Sequence, residues 1–379
     1  MITIRRILQT EMEARLKLQK VLLLLGARRV GKTVLLRQMV NGFKGKTLLL
    51  NGESMDTLKL LENRSVANYQ QLFANVDLLA IDEAQHIPDV GLKLKLIVDE
   101  VPNIRVVATG SSSFDLRNTA GEPLVGRSTQ FQLNPFSVEE LLAFFPPFEM
   151  LQRREDYVIY GHYPELLSME SVKERQEYLN DVVDAYLLRD ILSVDGIKHA
   201  QKMYDLLRLI AFQIGSEVSL DEIGSQLSLS RNTVERYLDL LQKVYVLFRI
   251  GGFSRNLRKE VRKTAKWYFY DIGIRNAILR DYKPLKDRSS AEQGALWENY
   301  VIAERIKRNC NHRLGVNFYF WRTYDMQEID LIEEANGILS AYEIKAGVKK
   351  PVAPVAFSKA YPEVPFNVIN RDNYLEFVK

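Results

Sequence analysis

The octapeptide Gly26-Ala27-Arg28-Arg29-Val30-Gly31-Lys32-Thr33 constrains this chain more than any other stretch. The apolar run 21–25 precedes it, and an apolar-periodic segment that opens with Val34 follows it. That order reads as strand, phosphate-binding loop and helix. Backbone N–H groups at a helix N-terminus neutralise a polyphosphate without trapping it chemically, and Gly26 and Gly31 permit the tight path such a loop needs. The spacing assigns Lys32 to the β- and γ-phosphates and the Thr33 hydroxyl to Mg²⁺, with nucleotide contacts running from Gly26 to Val34.

A second motif agrees with the first. Residues 78–81 form a buried-strand run that ends in Asp82-Glu83, the arrangement that sets a carboxylate beside a phosphate loop at a parallel strand's C-terminal end. Asp82 would hold Mg²⁺ through water or through Thr33. Glu83 would polarise a water for attack on the γ-phosphate, which favours hydrolysis over transfer to a small substrate. At the end of the next apolar run, Ser111 or Ser112 could sense the γ-phosphate, or the same serines could cap a helix. Arg127, after a Gly-containing loop, reads equally as an arginine finger and as a surface arginine. His86, just beyond Glu83, reads as a loop histidine.

With 379 residues the chain exceeds one ordinary core. We divide it into a nucleotide domain (1–145), a helical lid or connector (146–200), a winged helix-turn-helix (201–285) and a C-terminal α/β domain (286–379). Net charge is +4, from 52 basic against 48 acidic residues, so any electrostatic footprint for nucleic acid must be local. The single cysteine, Cys310, excludes an intramolecular disulfide and reads as core filler or reactive thiol. No run approaches the length of a membrane span. The expectation is a soluble, cytoplasmic protein that binds ATP and Mg²⁺ and avoids membranes.

In the nucleotide domain, a helix over 4–19 and apolar runs at 47–50, 78–81, 105–108 and 128–133 alternate as a parallel sheet with covering helices would. Farther on, helical patterns at 203–214, 219–227 and 230–244 precede two β-like runs, 245–250 and 266–270, which describes a winged helix. The third helix turns Arg231, Asn232, Glu235, Arg236 and Asp239 outward. The wing carries Arg249, Arg255, Arg258, Lys259, Arg262, Lys263 and Lys266 against Glu260, a cluster suited to phosphate contacts. Glu235 and Asp239 oppose that reading, and winged helices also serve as connectors.

The last segment holds Glu298 on a helix, Asp330 before a hairpin and Glu343-Ile344-Lys345 on a strand. The hairpin brings Asp330 near Glu343, and alternation puts Lys345 on the same face. Asp330 and Glu343, completed by Glu298, suit a second Mg²⁺ or Mn²⁺, and Lys345 an attacking water or developing phosphorane charge. A solvated sheet edge, or a nuclease-like fold used only for binding, is the other reading.

Gly26 to Thr33, residues 78–86, Leu124-Val125-Gly126-Arg127, Asn134-Pro135-Phe136-Ser137, Gly161-His162-Tyr163-Pro164 and the C-terminal set together resemble the bacterial and archaeal AAA-type ATPases that carry a DUF4143 domain. His162 departs from that pattern, where a second glycine is expected. The resemblance implies an α/β P-loop NTPase core of the additional-strand catalytic-glutamate class, with sheet order 5-1-4-3-2. It further implies a winged helix and a PD-(D/E)XK nuclease-like domain. The function expected is ATP hydrolysis coupled to DNA or RNA; the alternative is an ATP-gated switch whose C-terminal domains only bind a partner. An ATP-dependent homo-oligomer is compatible with both.

Overall fold

The computed structural model describes residues 4–111, 124–187, 200–254, 265–323, 325–347 and 351–379. Ser112 and the wing residues Arg255, Arg258, Lys259, Glu260, Arg262 and Lys263 lie outside them.

After helix α1 (Ile7–Ala14), the chain builds a sheet from β1 (Val21–Leu25), β2 (Thr47–Asn51), β3 (Leu78–Asp82), β4 (Arg105–Gly110) and β5 (Ser128–Gln132). Its order is β2-β3-β4-β1-β5 and every pair is parallel, so the expected 5-1-4-3-2 order is the one observed. Parallel strands are covered on both faces, which is why β1 is five consecutive apolar residues, all buried. Leu22 and Leu24 pack toward α2 (Lys32–Gly42) with Leu35, Leu36 and Met39. Val21, Leu23 and Leu25 face the other layer with Leu94, Ile97 and Val98 of α3 (Val90–Glu100). Each such leucine is worth roughly 1.5–3 kcal/mol of burial.

Beyond β5, Ser137 opens α4 (Val138–Leu142) with a capping box to Glu140. Three further helices, α5 (Ala200–Phe212), α6 (Leu220–Leu227) and α7 (Arg231–Lys243), lead to an antiparallel pair, β7 (Leu247–Gly252) and β8 (Ala265–Phe269). The two-residue β6 (Glu217–Val218) pairs with β8. On α7 the apolar stripe Val234, Tyr237, Leu238 and Leu241 is buried, and Arg231, Asn232, Glu235, Arg236 and Asp239 are exposed.

A long helix, α8 (Ser290–His312), then enters β9 (Asn317–Arg322), β10 (Glu328–Ala335), β11 (Ile338–Ile344) and β12 (Phe366–Ile369). These strands do not make a separate sheet. β9 pairs in parallel with β7 at Gly251↔Tyr319, so one seven-stranded sheet runs β12-β11-β10-β9-β7-β8-β6. The β7–β8 hairpin is thereby continuous with the C-terminal strands.

Candidate functional site

The loop from Gly26 to Gly31 depends on its glycines at both ends. A Cβ on Gly26 would meet the Leu133 carbonyl oxygen at 2.2 Å, and Gly31 holds φ +99°. Lys32 is buried, and its Nζ donates to the carbonyls of Gly26 (2.9 Å) and Ala27 (2.8 Å). A cavity of about 430 Å³ opens here, lined by Val30, Gly31, Lys32, Thr33 and Val34, with Glu83 on its wall. Arg29 pairs with Glu165 at 2.9 Å, and Arg28 borders a neighbouring crevice with Ala27.

Asp82 ends β3, immediately before Glu83 of the cavity wall. Its Oδ1 accepts from the Thr109 hydroxyl at 2.5 Å, and Thr109 Oγ1 in turn accepts from Glu83 N at 3.0 Å. Thr109 therefore sets both acidic residues, a role the sequence reading gave to no residue at the end of β4. Glu83 sits at φ +50°, uncommon for a residue with a side chain. Its Oε2 accepts from the Gln85 amide at 2.5 Å, and the same amide lies 3.4 Å from the buried Ser111 Oγ. Hydroxyl and carboxylate oxygens at Thr33 and Asp82 are the hard donors Mg²⁺ takes. His86 is exposed, 3.5 Å from Glu53.

Arg127 stands apart from the loop. It precedes β5, so it lies at the N-terminal edge of a parallel sheet whose loop is at the C-terminal edge, about 13 Å of strand away. Its Nε donates to Asp99 Oδ1 at 2.6 Å at the end of α3. It does not reach the loop within this chain.

The N-terminal segment reaches the loop instead. Arg6, buried, donates from Nη1 to the Val30 carbonyl (2.9 Å), from Nη2 to the Asn134 carbonyl (2.6 Å) and from Nε to Glu140 (2.8 Å). On the far side of the same segment, Glu304 of α8 accepts from Val138 N at 2.6 Å and meets Lys307 (2.7 Å) and His162 (3.2 Å). Burial raises the Glu304 carboxyl, but Lys307 and His162 outweigh it and bring its pKa to about 2. The residues 134–140 are thus clasped from the phosphate loop on one side and from α8 on the other.

The C-terminal set is brought together and already contains a cation. Lys345 Nζ lies 2.5 Å from Glu343 and 3.7 Å from Asp330, and Asp330 accepts from Ile344 N at 2.7 Å. Lys266 of β8, read from sequence as a phosphate contact, is buried here instead: it is paired with Glu328 and 3.5 Å from Glu298. Tyr268 donates to Glu298 at 2.6 Å. Burial and then Asp330 push the Glu298 carboxyl up to about 7, and burial with Asp330 raises Glu343 too. Burial also raises Asp330 itself, against the pull of Lys345. For Lys345, burial works to lower the pKa, but Asp330 and Glu343 prevail and raise it.

Among the described residues no group of three His, Cys, Asp or Glu side chains is set to hold a metal ion. Glu298, Asp330 and Glu343 do not form such a group. The Lys266 ammonium of β8 lies against Glu298 and Glu328 and compensates part of the cluster's negative charge.

These features are those of a P-loop nucleotide-binding fold at the head of the chain. Residues 18–142 match the family described as AAA domain, residues 151–284 a domain of unknown function (DUF8612) and residues 293–372 a domain of unknown function (DUF4143). The chain carries an AAA domain and a DUF4143 domain, and its five-stranded parallel sheet is that of a P-loop NTPase. It is similar to the uncharacterized protein Rv2008c of Mycobacterium tuberculosis, 27% identical over 86% of this chain and 70% of that one. It is also similar to the uncharacterized protein MJ1544 of Methanocaldococcus jannaschii, 22% identical over 96% and 84%. Among solved structures, the Walker-type ATPase PABY2304 of Pyrococcus abyssi covers 72% of this chain and 94% of its own at 19% identity, with a TM-score of 0.49. Among the described residues no helix is long and apolar enough to cross a membrane.

Proposed function

We propose that this protein is a Mg²⁺-dependent ATPase that uses nucleotide turnover to reposition its C-terminal half. That half, a winged helix-turn-helix continued by a PD-(D/E)XK nuclease-like sheet, engages nucleic acid as a binding module and does not cut it. Lys32 exchanges its two loop carbonyls for phosphate oxygens, which are stronger acceptors for an ammonium. Thr33 and Asp82 hold Mg²⁺, which when bound neutralises charge on the β- and γ-phosphates. Glu83 takes the proton of the attacking water once it leaves Gln85, and Thr109 keeps Asp82 in position. Ser111, within reach of Gln85, senses that exchange. Arg127 at the opposite sheet edge acts only on a neighbouring copy's nucleotide, which makes an ATP-dependent homo-oligomer part of this reading.

The observation that carries the binding-module reading is Lys266. A buried ammonium among Glu298, Glu328 and Asp330 suits a cluster that is compensated internally. Exposed Arg236 and Arg249, with Arg231 once a phosphate displaces Asp221 from its 2.7 Å pair, are the cations a phosphate backbone would meet. A nuclease reading keeps one specific support, the close set of Asp330, Glu343 and Lys345.

Turnover of ATP measured with single-stranded, double-stranded and branched DNA and RNA, with Lys32→Ala as the control, tests the proposal. Stimulation of at least severalfold without strand scission is expected. Scission with Mg²⁺ or Mn²⁺ that is lost in Glu343→Ala would transfer support to the nuclease reading, and indifference to every polymer would remove nucleic acid from both.

A further inference from the structure

The cavity that begins at Gly31, Lys32 and Thr33 extends well past the phosphate loop. It runs beside Gln38 on α2 to Pro164 and Glu165, in the turn that follows Gly161-His162-Tyr163. Ile4, Phe136 and Pro164 give this far part apolar walls, as the flat faces of a base require. Two polar side chains stand out against that lining. Gln38 Oε1 is buried with no hydrogen-bond partner, a cost that a ligand donor would remove. Glu165 is half exposed and turns Oε2 to Arg29 of the loop at 2.9 Å.

We propose that these two side chains read the nucleoside: the Gln38 carbonyl accepts from the amino group of adenine, and the Glu165 carboxylate accepts from the ribose hydroxyls. The ligand class is an adenine ribonucleotide. This rests on the ATP reading above and adds the residues that select the base and the sugar. The chemistry is complementary in each case. An amide oxygen has two lone pairs and meets an N–H donor, and a carboxylate meets the two O–H donors of a vicinal diol. Arg29 connects the sugar end to the phosphate end. A polyphosphate competes for its guanidinium, and Glu165 is then satisfied by the sugar instead. A buried group such as Gln38 Oε1 rejects an analogue that lacks the amine because it is left unpaired, while half-exposed Glu165 discriminates through the hydrogen bond that the missing hydroxyl would have donated.

Calorimetric titration of the full chain in a Glu83→Gln background, with ATP, 2′-deoxyATP and purine riboside triphosphate, tests both assignments. Each analogue is expected to bind about tenfold more weakly than ATP, the effect of one good hydrogen bond. Glu165→Ala should bring ATP and 2′-deoxyATP to equal affinity while preserving the penalty on the base analogue. Gln38→Leu should do the reverse. Equal binding of ATP and 2′-deoxyATP before any change at Glu165 overturns the sugar assignment, and equal binding of ATP and the base analogue overturns the base assignment. Failure to bind any of the three sinks the ATPase reading itself, a separate result.

Discussion

Glu298 and Glu304 lie on the same helix, α8, and both are largely buried, yet their carboxyls move in opposite directions, to about 7 and about 2. The difference is in the counting of partners. Glu304 meets Lys307, His162 and the Val138 N–H, all within 3.2 Å, and the further contact that Lys307 and His162 share is a neutral one, the Phe136 carbonyl. Glu298 shares Lys266 with Glu328, while Lys345 serves Asp330 and Glu343, and Glu343 Oε2 is left buried without a partner. Burial alone therefore decides nothing here. One end of the helix is a closed polar joint to the ATPase domain, and the other is a crowded anionic cluster held by borrowed cations.

The largest expected effect breaks the closed end. Glu304→Ala takes the carboxylate away from buried Lys307 and His162 and should cost about 3–5 kcal/mol in chemical denaturation, by the usual penalty for opening a buried pair. A loss under about 1 kcal/mol would mean that the joint is slack. Next comes the cluster: Lys266→Met takes away the β8 ammonium and should cost about 2–4 kcal/mol at pH 8. Millimolar Mn²⁺ should restore part of that loss in the variant and leave the parent unchanged. Equal stabilisation of both would show that the cluster takes a metal with Lys266 in place.

The two carboxyls also predict opposite pH dependences. Glu304 has a depressed folded pKa, so its contribution is full above about 4.5 and is lost as pH falls toward 2. Glu298 has a raised folded pKa, so its ionisation opposes the fold, and stability is lost as pH rises from about 4.5 through 7. Glu298→Gln should therefore gain on the parent over that interval, by on the order of 1–3 kcal/mol in urea midpoints. A flat difference between pH 4.5 and 7 would contradict the crowding.

What was legible in the sequence is what local spacing encodes. The phosphate loop, Asp82-Glu83 and the five strands each announce themselves through an apolar run or a fixed Gly-Lys-Thr interval, and the sheet order followed from the resemblance those motifs carry. The sheet edge at which Arg127 lies was open to inference as well, since a residue that precedes a strand lies at the edge away from a loop that follows one. Arg6, Lys266 and Glu304 had no such signal. Arg6 acts on residues as distant as Glu140, Glu304 on Val138, and Lys266 reaches its cluster only because β7 pairs with β9. Single-sequence periodicity does not encode which distant backbone a buried charge will meet. Thr109 and Gln85 are an intermediate case: the expected strand order already makes β4 and β3 neighbours, but which side chains meet across and beside that pair is set by the fold.

The smallest effect tests how far the closed end of α8 extends. At the last turn of the helix, His312 lies 2.8 Å from Glu139 of α4, and Arg313 donates to the Gln130 carbonyl at 2.7 Å on β5. Both links repeat the Glu304 theme, a C-terminal helix gripping the ATPase domain, but the His312 side chain is 35% exposed. Water screens a pair of that kind, so His312→Ala should cost only about 0.2–1 kcal/mol. The value is informative when set against Glu304→Ala in a double-mutant cycle. If the joint is one cooperative unit from Ser137 to α8, the two losses will exceed or fall short of their sum by 0.5 kcal/mol or more. Simple additivity would confine the coupling to Glu304 and its immediate partners, and the route from the phosphate loop through Arg6 and residues 134–140 would end there.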